Sequence, residues 1–115
     1  MRRGGVTTRT EDGVKLVHVV GELDAAAVPI FFRAFPDSDH HPVVVDLHDC
    51  DFIDSTGLAA IIEAWRSAQN ADRKQPFVVA SPTRPVRRLF RDAGIERHID
   101  VYRSVEAAVA AIKPR

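Results

Sequence analysis

The segment DCDFIDSTGL, residues 49–58, concentrates side chains that could do chemistry. Three carboxylates, Asp49, Asp51 and Asp54, come before two adjacent hydroxyls, Ser55 and Thr56, and a glycine follows. A serine can attack a substrate when a neighbouring base activates it, or it can accept a phosphoryl group from another enzyme. The surrounding sequence has to distinguish these two uses.

The surroundings of Ser55 do not favour a nucleophile of the chain's own. The nucleophile elbow of an α/β-hydrolase has glycine two residues before and two residues after the serine. Gly57 occupies the later position, but Ile53 occupies the earlier one. None of the five histidines follows the serine in the usual chain order with an acid partner: His18, His40, His41, His48 and His98. We therefore expect no catalytic residues and no enzyme activity.

Metal and nucleotide sites are not predicted either. The region contains dense acidic residues with His48 and Cys50 among them: Asp46, Asp49, Asp51 and Asp54. A calcium loop needs a glycine at its midpoint and a distal glutamate, and zinc needs paired Cys or His spacings. No glycine-rich phosphate loop or dinucleotide fingerprint is present. The pattern predicts a solvated acidic loop after a strand, with no metal and no cofactor.

Composition limits the class of protein further. The chain has 115 residues and a formal net charge of zero, which predicts one domain, residues 1–115, and argues against nucleic acid as a partner. One cysteine, Cys50, allows no internal disulfide and fits a reducing compartment. The start, MRRGGVTTRT, has no apolar run, and no segment is long enough to span a membrane. We expect a cytoplasmic protein.

Strand and helix patterns alternate along the chain. Asp12-Gly13 predicts a hairpin turn that leads into a strand, and a helix then follows with Asp24 as its N-cap. PVVVDL and QPFVVAS read as buried strands, and the helix between them contains LAAIIEAWRSAQN. PTRPVRRLFRDAGI predicts a third helix ended by Gly94, IDVYRS a short strand, and SVEAAVAAI a last helix that starts near Ser104 and Glu106.

This alternation predicts an α/β fold with a mixed central sheet of four to five strands and about four helices. The first ten residues are an edge strand or frayed, with residues 1–5 frayed or disordered. On the third helix, Arg84, Arg87, Arg88 and Arg91 would form one basic face, with Val86, Leu89, Phe90 and Ala93 nearer the core. That face is either solvated or a docking face for an acidic partner.

The segment VVVDLHDCDFIDSTGLAAII, residues 43–62, resembles the STAS domain, the family named for sulfate transporters and anti-sigma factor antagonists. VVGELDAA, residues 19–26, looks like the first signature turn of the family, and SPTRPVRRLFRDAGI, residues 81–95, looks like its third-helix segment. The resemblance covers the chain from about Val6 onward. Without a membrane domain, the sequence is most similar to the free-standing bacterial anti-sigma factor antagonists.

The resemblance implies a phosphorylation switch. In such antagonists the serine after the motif aspartate is phosphorylated by the anti-sigma factor, a kinase that uses ATP and magnesium. By this resemblance the acceptor is Ser55, with Thr56 as its rival. The unphosphorylated antagonist would bind the anti-sigma factor and release a sigma factor, and a serine phosphatase would restore it. The alternative is a STAS module that senses a small ligand or nucleotide, or that scaffolds a signalling complex.

The partner surface is expected to join the GELD turn to the start of the second helix, because both lie beside strand ends. Gly57 is expected to keep the approach to the serine open. The protein is expected to be a monomer or weak dimer that contacts neither nucleic acid nor membrane. The surface residues are Glu22, Asp24, Asp54, Ser55, Thr56, Gly57 and Leu58.

Overall fold

The computed structural model describes residues 4–36 and 41–114. The strands are β1 (Gly5–Glu11), β2 (Val14–Leu23), β3 (Val43–Ile53), β4 (Phe77–Ala80) and β5 (Val101–Tyr102). The helices are α1 (Val28–Phe32), α2 (Ser55–Asn70), α3 (Arg84–Asp92) and α4 (Val105–Ile112), with a 3₁₀ turn at Ile95–Arg97. Within this described part, no helix combines the length and apolar character needed to cross a bilayer.

The five strands form one sheet in the order β1-β2-β3-β4-β5. β1 and β2 are antiparallel, and the other pairs are parallel, so the predicted mixed α/β fold is confirmed. The turn between β1 and β2 has positive φ at both Asp12 (53°) and Gly13 (79°), the backbone that the Asp-Gly pair favours in two-residue hairpins. Parallel pairing brings the carboxyl ends of β2 to β5 to one edge of the sheet.

Apolar side chains cover both faces of this sheet. One core joins β2, β3 and β4 to the first three helices and includes Phe31, Ile61 and Phe90. A smaller core on the opposite face includes Ala108 and Val109 of α4. Strand β3 serves both cores because successive side chains point to opposite faces. β3 is the middle strand of the sheet, and it leads through Asp54 into the start of α2.

The acidic segment after PVVVDL is not the loop that the sequence predicted. β3 continues through it to Ile53, so the strand has 11 residues. Two register shifts accompany this extension. Between the pairs His18–Asp46 and Val20–Asp49, and again between Gly21–Cys50 and Glu22–Phe52, β3 has one residue more than β2. Such bulges break the simple alternation of side chains, which hid the strand from pattern analysis.

The predicted cap of the first helix is wrong in position. α1 begins at Val28 with Ala27 as N-cap, and Pro29 lies in its first turn. Asp24 instead closes the turn before the helix: its Oδ1 accepts from the backbone N–H of Ala27 at 3.1 Å. Proline has no N–H to donate, so the start of a helix accommodates it.

Several other boundaries follow the sequence closely. Gly94 takes a left-handed conformation (φ 73°) just after α3, and Ser104 caps α4 by accepting from the N–H of Ala107. The expectation that residues 1–5 are frayed or disordered is wrong for Gly5, which pairs with Val20 in the sheet. Residues 1–3 lie outside the described chain. Ala93, predicted to lie nearer the core, is exposed.

Candidate functional site

The start of α2 is held by the carboxylate of Asp54. Asp54 is the N-cap in an extended conformation, and its Oδ1 accepts from the backbone N–H of Gly57 at 2.8 Å. The hydroxyl of Thr56 donates to the same oxygen at 2.6 Å. The first N–H groups of a helix have no partner within the helix, so this capping fixes where α2 begins.

These hydrogen bonds also set the charge at this point. The Thr56 hydroxyl, followed by the Gly57 backbone N–H, lowers the pKa of Asp54, and the backbone N–H groups of Thr56 and Ala25 act in the same direction. Donors that bind the ionised carboxylate favour that form over the protonated one. Asp54 is therefore an anion at neutral pH, and it precedes Ser55 directly in the chain.

The two adjacent hydroxyls have different surroundings. Ser55 is the first residue of α2 and is exposed. Within the described residues its hydroxyl takes part in no hydrogen bond, whereas the hydroxyl of Thr56 is bound to Asp54. A hydroxyl that is both exposed and uncommitted is the easier one for another protein to reach. The two residues are both exposed and therefore differ in hydrogen bonding rather than in exposure.

Gly57 joins the helix start to the GELD segment of β2. A Cβ at position 57 would lie 2.0 Å from the backbone oxygen of Leu23. The same oxygen accepts from the N–H of Asp54 at 3.3 Å. Gly57 is buried, so the expectation that it keeps the approach to Ser55 open is wrong, and it cannot offer an exposed contact. Its role is to let α2 meet the β2 backbone.

The other predicted site residues lie on either side of this contact. Glu22 is exposed and pairs in register with Phe52, and Asp24 is half-buried in the turn after β2. Leu58 is half-buried and packs against the larger core. The structure thus brings the carboxylates of Glu22 and Asp24 to the same strand ends as Asp54, which gives this edge an acidic character.

Phe52 belongs to this edge and was missed by the sequence reasoning. Its side chain is 50% exposed, the largest fraction among the exposed large apolar residues of the described chain. An exposed aromatic side chain can contact another protein, and aromatic residues are enriched in protein interfaces. The available signal was its neighbour Ile53, which is buried and therefore directs Phe52 outward.

A basic helix begins beside the same strand. The hydroxyl of Thr83, the residue before α3, donates to the backbone oxygen of Cys50 at 3.1 Å. The predicted basic face is confirmed as an exposed row along α3: Arg84, Arg87, Arg88 and Arg91. Cys50 itself is buried, and this burial raises the pKa of its thiol. It is therefore a core residue and not a reactive group.

The family model of the STAS domain matches residues 6–108, and the chain belongs to this family. An anti-sigma factor antagonist from Mycobacterium paratuberculosis superposes with a TM-score of 0.85 at 24% identity, over 97% of this chain and 96% of that one. The Bacillus cell fate determinant SpoIIAA in its phosphorylated form gives 0.68 at 18% identity, over 93% and 98%.

The fold is also found within a much larger protein. The murine anion transporter Slc26a9 gives a TM-score of 0.72 at 18% identity, over 96% of this chain and 22% of the transporter chain. At identities this low, structural similarity establishes the shared fold and not a shared activity. Function has to be argued from the site.

Proposed function

We propose that this protein is an anti-sigma factor antagonist switched by phosphorylation of Ser55. In the unphosphorylated state it binds an anti-sigma factor with serine kinase activity and so releases a sigma factor. Phosphorylation by that kinase ends the binding, and a serine phosphatase reverses it. The observation that carries the proposal is the exposed, uncommitted hydroxyl of Ser55 next to the anionic cap Asp54.

The Ser55 hydroxyl forms no hydrogen bond with any side chain of the described residues, which agrees with a serine that is a substrate. In phosphoryl transfer the kinase supplies the residue that accepts the hydroxyl proton, together with the metal ions and the nucleotide. The acceptor protein has to present an accessible hydroxyl on a defined backbone. The first residue of a capped helix of 16 residues meets that requirement.

Phosphate at this position is compatible with the fold. The start of a helix carries partial positive charge and N–H groups that stabilise an anion. The phosphate adds about 1.5 to 2 negative charges at neutral pH. These charges join the carboxylates of Glu22, Asp24 and Asp54, so the main change is in surface potential and bulk.

The proposed contact surface contains Glu22, Asp24, Asp54, Ser55, Thr56 and Leu58, and we add Phe52 as its apolar centre. In many interfaces a few central side chains contribute most of the binding energy, and the contact residues around them mainly exclude water. The carboxylates around Phe52 would select a partner with a basic surface. Two substitutions test this surface, Asp24→Ala and Leu58→Ala, and unchanged affinity of both for a verified anti-sigma factor would contradict it.

The direct test of the switch uses candidate kinases encoded by the same genome. Purified protein is incubated with each kinase, ATP and magnesium, and intact mass is measured. We expect one added phosphate on the wild type and on Thr56→Val, and none on Ser55→Ala. Modification of Ser55→Ala to the wild-type extent, or tryptic peptides with phosphate on Thr56 alone, would refute Ser55 as the acceptor.

A further inference from the structure

A second group of polar side chains lies on β2 and β3, away from the helix start. The Nε2 atoms of His18 and His48 lie 2.8 Å and 2.9 Å from the same oxygen, Oδ2 of Asp49. The two imidazole rings are stacked, with centroids 4.9 Å apart. Each of the three residues offers one possible ligand atom, and these three atoms all lie within 4.8 Å of one another.

The first bulge of β3 creates this group. In a regular strand, His48 and Asp49 would point to opposite faces of the sheet. The extra residue of β3 between the pairs His18–Asp46 and Val20–Asp49 breaks that alternation, and both side chains reach His18 on the neighbouring strand. Sequence spacing could not reveal the group, because His18 and Asp49 are 31 residues apart.

A buried carboxylate supports the His48 ring from behind. Within residues 4–36 and 41–114, Asp46 is the one buried charged side chain. Its two oxygens lie 2.8 Å and 2.9 Å from Nδ1 of His48, and its Oδ1 also accepts from the backbone N–H of His48. A carboxylate that accepts from Nδ1 leaves the lone pair on Nε2, which is the arrangement typical of metal-binding histidines.

The Nε2 atoms of both rings closely approach the same carboxylate oxygen of Asp49. An imidazole nitrogen and a carboxylate oxygen attract at 2.9 Å only if a proton or a cation lies between them. A divalent cation at this position could bind all three side chains at once.

We propose that His18, His48 and Asp49 bind a divalent transition metal ion, with Asp46 as the residue that positions His48. Two imidazoles and one carboxylate suit Zn²⁺, with a fourth position open to water. Zinc–ligand bonds of 2.0–2.1 Å place neighbouring tetrahedral ligands about 3.3 Å apart. The present separations of 2.8 and 2.9 Å would widen by about 0.5 and 0.4 Å on zinc binding.

The electrostatics of the surroundings are mixed but favourable. Asp46 and Asp49 together balance the two charges of the ion. Arg9 of β1 lines the same depression, so its charge opposes the cation. His18 and Asp49 are about one-third exposed and His48 about half, so an ion can enter from solvent. The inference does not depend on the proposed switch at Ser55.

The test is zinc binding to tag-free protein freed of metal with a chelator and then dialysed. Isothermal titration with Zn²⁺ is expected to show one saturable site per chain, and Mg²⁺ is expected to show none, because it prefers oxygen ligands. His18→Ala and His48→Ala should each weaken binding at least tenfold. The control is His98→Ala, which removes an exposed histidine that contacts Trp65, and it should bind as the wild type does.

Two spectroscopic measurements separate a metal site from a structural cluster. Zinc should shift the ring resonances of His18 and His48 and leave those of His98 in place. Asp46→Asn should weaken zinc binding by about 10- to 100-fold and change the ring-nitrogen shifts of His48, while circular dichroism shows the fold intact. Lack of saturable zinc uptake, or wild-type affinity in His18→Ala, would overturn the proposal.

Discussion

At the scale of single residues, the Asp54 carboxylate has two functions. It caps α2 through Gly57, and it binds the hydroxyl of Thr56. The Thr56 hydroxyl would have to give up the second contact before it could be modified, which supports the proposal of Ser55 as the acceptor.

The pKa of Asp54 makes its stabilising effect depend on pH. Hydrogen bonds from Thr56 and Gly57 lower the pKa of the folded state below that of the unfolded state. The stabilisation is therefore present above the unfolded value, about 3.9, and is lost as pH falls through the lower folded value. We expect Asp54→Ala to melt below the wild type at pH 7, with a smaller gap at pH 3. An equal gap at both pH values would contradict this.

Cys50 should be inert in the folded protein. Its side chain is buried, desolvation raises the pKa of its thiol, and the thiolate is the reactive species. We expect a thiol-specific reagent to modify native protein far more slowly than protein unfolded in guanidinium chloride, which serves as the control. Equal rates in the two states would show that Cys50 is accessible.

At the scale of elements, the site depends on the close approach of α2 to β2. Leu23 contributes its backbone oxygen to Asp54, and its position leaves no room for a side chain at position 57. The GELD segment (residues 21–24) and the DSTG segment (residues 54–57) are therefore parts of one structural unit, although 30 residues of chain separate Asp24 from Ser55. A change at the contact should affect stability and partner binding together.

Gly57→Ala tests this contact. The added Cβ would lie 2.0 Å from the oxygen of Leu23, so the helix or the strand must move. We expect a loss of about 1–3 kcal/mol or more in the free energy of unfolding, measured by urea denaturation. The matched control is Gly5→Ala, because a Cβ at that strand position meets nothing within 4 Å. Similar stability of the two variants would rule out the proposed packing.

The sequence predicted the elements with simple periodicity and missed those where tertiary contacts break it. The apolar stripe from Leu58 to Trp65 identified α2, and Asp12-Gly13 identified the hairpin. The extent of β3 was not predictable, because its bulges depend on pairing with β2 and the acidic residues read as a loop. The group of His18, His48 and Asp49 escaped notice for the same reason.

At the scale of the whole molecule, the site occupies one edge of a rigid two-core sheet. Both cores pack against β3, and the larger core includes Leu47, Cys50 and Ile53 of the segment that leads to Ser55. A chain with zero formal net charge becomes net negative on phosphorylation, and the new charge is confined to that edge. The proposed switch therefore acts by local repulsion and needs no change of fold.

Ser55→Asp should separate the effect of added negative charge on partner binding from any effect on stability. An acidic residue in the first turn of a helix interacts favourably with the helix dipole, so the variant should melt near the wild-type temperature. Its affinity for the anti-sigma factor should nevertheless fall, because it brings a further negative charge to the contact. Thermal denaturation checks the first expectation, and a melting temperature lowered as far as that of Gly57→Ala would contradict it.

The most direct measurement is the affinity of the anti-sigma factor for unphosphorylated and Ser55-phosphorylated protein, determined by calorimetry on the same preparation before and after kinase treatment. Charge repulsion of several kcal/mol at an interface corresponds to a loss of about a hundredfold or more. We predict that loss, its reversal by a serine phosphatase, and constitutive binding by Ser55→Ala. Equal affinities for the two forms would contradict the proposed switch.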